Sequence, residues 1–105
     1  MSRRTMSGYL PGHEATRRVI VMDRENLLAR GWSHVVSTTN DVGELEAFRE
    51  RVGAPPAALQ LLNTRWPHLD LRGEPRERAL ACGDIVIVER TSDLIRYVRR
   101  ARGRV

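Results

Sequence analysis

The sequence predicts a small α/β fold: a single-layer sheet of about three to four strands packed with about three helices. Three observations carry this. The continuous apolar runs Val19-Ile20-Val21-Met22 and Ile85-Val86-Ile87-Val88 are strand-sized, β-branched and bounded by polar residues, the pattern of strands buried on both faces. Residues 40–52 and 91–102 repeat apolar side chains at helical spacing. Strand and helix signals alternate along the chain, as they do where helices pack on a sheet.

Residues 1–17 contain Gly8, Pro11 and Gly12, with arginines near both ends and no hydrophobic period. They read as a mobile basic N-terminal arm, which leaves residues 18–105 as one α/β domain. Residues 18–22 form the first strand, and Asp23 is expected at its carboxyl end. A polar connection over 24–33 leads to a second short strand at 34–38. Asn40 or Asp41 caps a helix that runs to Val52, with Glu44 in its first turn and Val42, Leu45, Phe48 and Val52 along one stripe. Gly53 stops it and Pro55-Pro56 prevents continuation.

Residues 57–64 suit either a short helix or a strand. Trp66 precedes a proline and is pushed away from helix, so 65–71 reads as a loop entering a short extended piece. Pro75 opens a short helix that Gly83 closes after Cys82. Residues 85–89 form another buried strand. Thr91 or Ser92 caps the last helix, whose inner side is expected to carry Leu94, Ile95, Tyr97, Val98 and Ala101. Arg99, Arg100 and Arg102 suit the dipole at its carboxyl end.

Charge sorts the function classes. The 105 residues hold 18 Arg, no Lys and 13 acids, for a net charge of +5, and a pI near 10.9 invites a nucleic-acid reading. The excess sits at the two ends: Arg3, Arg4, Arg17 and Arg18, then Arg96, Arg99, Arg100, Arg102 and Arg104. Between residues 19 and 95 the acids outnumber the arginines. The lack of Lys reads as codon bias. No apolar run approaches a membrane span, and no apolar stretch follows the basic N-terminus as in a signal peptide. Cys82 is the single cysteine, which excludes an internal disulfide and a Cys-rich zinc shell. It reads as a small core residue rather than a nucleophile. The expectation is a cytoplasmic protein with no membrane partner.

Five stretches carry a resemblance: Trp32-Ser33-His34-Val35-Val36-Ser37; Glu44-Leu45-Glu46-Ala47-Phe48; Gly53 followed by proline; His68-Leu69-Asp70-Leu71; and the Ala79 to Gly83 segment. Over roughly residues 18–100 the chain resembles the DUF4031 family, small bacterial and phage proteins that share an apolar strand ending in Asp, a Trp-Ser-His segment and a His-Tyr-Asp segment. Leu69 stands where that family has an aromatic residue, and the stretch from Gly53 to His68 is a few residues longer. The resemblance implies no activity. It directs attention to Trp32, Ser33, His34, His68 and Asp70.

The chemistry-bearing candidates are therefore Asp23, Ser33, His34, His68 and Asp70. Ligands of open α/β sheets bind beyond the carboxyl ends of strands, where Asp23 is expected. Imidazoles and carboxylates together serve either as metal ligands, with His34, His68 and Asp70 as the set, or as an acid–base group in which a carboxylate orients a histidine. The same residues also have plain structural uses: Asp23 and Asp70 as turn caps or arginine partners, His34 as a packed histidine beside Trp32. No phosphate-cradling glycine loop is present.

Three function classes fit. A non-catalytic binding protein would hold nucleic acid or another polyanion through Arg96, Arg99, Arg100, Arg102 and Arg104. A regulator of a phage or host protein would use Trp32 and Trp66 as anchors. A small metal- or histidine-dependent hydrolase would use Asp23, His34, His68 and Asp70. The sequence ranks the binding classes above the enzyme, and it specifies neither a cofactor nor an oligomeric state.

Overall fold

A computed structural model describes residues 19–26, 28–39, 41–60 and 66–103. The 1–17 arm and Arg104 lie outside the described residues.

Five strands and three helices follow in the order β1 (Ile20–Glu25), β2 (Trp32–Ser37), α1 (Val42–Val52), a 3-10 turn (Pro56–Ala58), β3 (Leu59–Gln60), β4 (His68–Arg72), α2 (Gly73–Leu80), β5 (Val86–Arg90) and α3 (Thr91–Gly103). The strands form one mixed sheet in the order β3-β4-β2-β1-β5. Only the β1–β5 pair is parallel; β1–β2, β2–β4 and β3–β4 are antiparallel. The α/β class agrees with the expectation, but the sheet has five strands rather than three to four. The additional strand is the two-residue β3, too short to show a period of two.

Strand alternation sorts side chains onto two faces. One face builds the larger core, in which Ile20 and Met22, Val35, and Leu69 and Leu71 meet Leu45, Phe48 and Val52 of α1 and Ala79 of α2. The other builds a smaller core, in which Val21 and Val36 meet Leu94 and Val98 of α3, with Trp66, Val86 and Val88 packed around them. Each face is thus covered, and the first strand reads as a continuous apolar run for that reason.

Local chemistry sets the helix ends. The Asp41 carboxylate accepts from Gly43 N at the start of α1, and Gly53 ends that helix at φ 77°, a left-handed conformation that glycine adopts without steric cost. Arg78 Nη1 then donates to the Val52 carbonyl at 3.0 Å, satisfying an end-of-helix acceptor from α2. Arg51 forks onto both oxygens of Asp84 at 2.8 and 3.0 Å and ties α1 to the entry of β5.

Five expectations are corrected. Asp23 does not end its strand: β1 continues to Glu25 because Asp23 and Glu25 keep pairing with Val88 and Arg90 of β5. The second strand begins earlier, at Trp32, through pairing of Trp32 and Ser33 with Arg72 and Leu71. The short helix starts at Gly73 and ends at Leu80, with Pro75 in its first turn. β5 is an edge strand whose residues are half-buried to exposed. In α3 only Leu94 and Val98 are buried, while Ile95 and Tyr97 are 36% and 38% exposed, because the helix meets the sheet along a narrow i, i+4 stripe.

Candidate functional site

The face of the sheet under α3 carries the site. Asp23 follows Val21 by two positions on β1, His34 precedes Val36 by two on β2, and His68 and Asp70 alternate with Leu69 and Leu71 on β4. All four therefore point away from the larger core and toward α3. Cross-strand register then sets His34 opposite Asp70.

Asp23 is fully buried. Its Oδ1 accepts from the His34 backbone N–H at 2.7 Å. Its Oδ2 lies 2.9 Å from His34 Nδ1 and accepts from the Thr91 hydroxyl at 2.6 Å. Three donors from two elements surround one carboxylate, which keeps a buried charge tolerable. Burial by itself raises the Asp23 pKa; the hydrogen bonds from the His34 ring, Thr91 and the His34 backbone more than offset it and hold the carboxyl below its ordinary value. The Asp23 bond raises the His34 pKa above its ordinary value against the opposing effect of burial, with Asp23 and Asp70 charges assisting.

The second histidine is oriented in a parallel way. His68 Nδ1 lies 3.0 Å from the Trp66 carbonyl, which only accepts, so Nδ1 carries the proton. Asp70 Oδ1 lies 3.4 Å from His68 Nε2. The two imidazoles meet edge to face with ring centroids 5.6 Å apart. In each ring Nδ1 is anchored, and His68 Nε2 stands within ion-pair distance of Asp70. That arrangement orients both rings, holding the outer nitrogen of His68 beside a carboxylate.

A cavity of about 270 Å³ opens over this pair, lined by His34, Val36, Trp66, His68, Thr91, Leu94, Ile95 and Arg99. A second, of about 490 Å³, shares His34 and Thr91 with the first and is otherwise lined by Asn26, Leu28, Arg90 and Ser92.

Sequence reasoning singled out Asp23, His34, His68 and Asp70, and all four gather on this face. Ser33 does not join them. It sits one residue out of phase, buried under α2, where its hydroxyl is 3.4 Å from the Arg24 carbonyl and accepts from Arg76 Nε at 2.9 Å. Among the described residues no three His, Cys, Asp or Glu side chains are placed to hold a metal ion. Cys82 packs half-buried against the larger core.

The C-terminal arginines are not one surface. Arg96 pairs with Asp93 at 3.1 Å. Arg102 donates to the Ser37 carbonyl at 2.9 Å and lies 4.8 Å from the Trp66 ring centroid. Arg99 lines the cavity, and Arg100 is exposed. Trp32 is half-buried with Arg72 over its ring at 5.0 Å. The two participants that sequence reasoning missed are Thr91, read there only as a helix cap, and Arg99 as a cavity residue. Thr91 is recognisable only once β5 delivers α3 beside β1.

The family model for a protein of unknown function, DUF4031, matches residues 20–101, most of the chain. The chain belongs to the DUF4031 family. The matched region contains Asp23, Trp32, His34, Trp66, His68, Asp70, Thr91 and Arg99. Comparison with curated proteins and with solved structures gave no match. No helix among the described residues is long and apolar enough to cross a membrane.

Proposed function

We propose that this DUF4031 protein is an acid–base enzyme that binds an anionic substrate between His34, His68 and Arg99 and moves a proton through the histidine Nε2 atoms. The observation that carries this reading is the Thr91–Asp23–His34 chain. A fully buried carboxylate fixes the imidazole through Nδ1, and the same His34 lines a cavity that also holds His68 and Arg99. Such a carboxylate selects the tautomer and stabilises the imidazolium that forms on proton uptake. Arg99 supplies a permanent positive charge at the same opening. The binding reading of the terminal arginines narrows accordingly: the polyanion partner is engaged where Arg99 meets the histidines.

The test is an NMR titration of the two imidazole rings with inorganic phosphate. Saturable shifts at His34 and His68, weakened by Arg99→Ala, are expected. Rings that do not respond up to millimolar phosphate would count decisively against the assignment. A regulator anchored on Trp32 and Trp66 would instead be untouched by Arg99→Ala.

A further inference from the structure

The first cavity alone does not account for the site. His34 and Thr91 form a wall shared by two cavities, and each cavity has its own arginine, Arg99 in one and Arg90 in the other. Arg90 directly precedes α3, and an α-helix rises about 1.5 Å per residue, so the stretch from Thr91 to Arg99 covers about 12 Å of helix axis. A ligand filling both cavities is therefore extended, carries negative charge toward both ends, and passes the histidine pair in its middle. The acids along this track are largely occupied. Asp23 is buried under His34 and Thr91, and Asp93 is bound by Arg96 and by the Arg90 backbone N–H. Asp70 stands beside His68. Trp66 and Ile95 give the first cavity an apolar wall suited to a base or sugar.

Resting on the acid–base reading above, we infer that the substrate is a single-stranded oligoribonucleotide, laid along α3 from Arg99 to Arg90, with one phosphodiester held over His34 and His68. The chemistry of the pair favours ribose over deoxyribose. A ribonucleotide carries its own nucleophile, the 2′-hydroxyl, beside the phosphorus. One imidazole Nε2 takes the 2′-hydroxyl proton while O2′ bonds to phosphorus. The bond from phosphorus to O5′ breaks, and the second imidazole, protonated, gives its proton to that leaving oxygen. The products are a 2′,3′-cyclic phosphate and a 5′-hydroxyl, and no co-reactant is consumed. Two histidines and one arginine supply the base, the acid and the charge that this step requires.

The experiment uses the full chain with a short single-stranded RNA, the same oligomer with deoxyribose throughout, and inorganic phosphate. Cleavage of the RNA to a cyclic phosphate, seen by phosphorus NMR, with none of the DNA, is the expected result. His34→Gln and His68→Gln are each expected to lower kcat at least ~100-fold. Arg90→Ala, at an exposed residue that shares a cavity with His34 and is hydrogen-bonded to neither imidazole, is expected to raise KM more than it lowers kcat. Because His34→Gln disturbs a buried pair, the exposed Arg99→Ala and Arg90→Ala variants keep the test decisive if that protein does not fold. Equal action on DNA, or RNA left intact while phosphate still shifts both imidazoles, overturns the RNA assignment and leaves the acid–base site standing. Failure of phosphate as well as RNA overturns both.

Discussion

Thr91 and Asp23 stand 68 positions apart in the chain, yet the Thr91 hydroxyl donates to Asp23 Oδ2 at 2.6 Å. The bond joins the first residue of α3 to the middle of β1. It is possible because β5 pairs in parallel with β1, setting Val88 beside Asp23 and Arg90 beside Glu25. The chain then turns into α3 directly above the carboxylate. The pair is a structural clamp and also fixes the group that orients His34.

Replacing Asp23 by Asn keeps the volume but removes the charge that three donors address. Hydrogen bonds to charged groups are worth about 1.5–3 kcal/mol, so Asp23→Asn is expected to cost about 2–3 kcal/mol in urea unfolding. The His34 pKa should fall in the same variant, because the Asp23 hydrogen bond is its largest raising influence. An unchanged His34 titration by NMR would contradict the assigned pairing.

Thr91→Val removes one donor to Asp23 Oδ2 while leaving His34 in place. The carboxylate then becomes more basic and pairs more strongly with the imidazolium, so the His34 pKa should move further upward. Stability should fall by about 1–3 kcal/mol, the range for a buried acceptor that loses a partner. Thr91→Ser restores the hydroxyl and should behave nearly as the parent.

The same pair gives stability a pH profile. His34 has its pKa raised above 6.5, so its contribution is complete below 6.5 and is lost as pH climbs through the folded value. Asp23 has its pKa lowered below 3.8, so its contribution is complete above 3.8 and is lost as pH falls through the folded value. The pair contributes fully between pH 3.8 and 6.5. The stability difference between the parent and Asp23→Asn, followed by denaturant melts across pH, should be largest in that window and shrink on the alkaline side.

Gly53→Ala tests the end of α1. At φ 77° a side chain is strained, by about 1–2 kcal/mol. The added Cβ would also meet Arg78 Nη1 at 3.0 Å, disturbing the bond from Arg78 to the Val52 carbonyl. Thermal melts should show a loss of at least that size, with the imidazole titrations unaltered.

Much of the fold is legible in the residues themselves. The β-branched runs around Val21 and Val86 encode strands through local composition, the first buried and the second half-buried at the sheet edge. The stripe of Leu45, Phe48 and Val52 encodes α1 through its period, and Asp41 and Gly53 mark its ends by short-range chemistry. The four acid–base candidates were also visible, because titratable residues next to apolar strands are costly to bury without a partner. Two of the readings that went astray show the physical reason. Ile95 and Tyr97 look apolar enough for a core, but the helix presents only its Leu94–Val98 stripe to the sheet. Ser33 sits beside His34 in sequence, yet the period of two sends it to the opposite face.

The sequence by itself determined the α/β class, the span of α1 and the supply of titratable side chains, since these depend on composition and on spacings within a few positions. Tertiary structure alone decided the strand order β3-β4-β2-β1-β5, the edge position of β5, the bond from Thr91 to the buried Asp23, and the meeting of His34, His68, Thr91 and Arg99 at one opening. Those outcomes rest on pairing between strands up to 65 residues apart, as Val21 and Val86 are. The same β-branched run can satisfy either neighbour. Only simultaneous burial of both sheet faces selects the register that brings the carboxylate, the imidazoles and the arginine together.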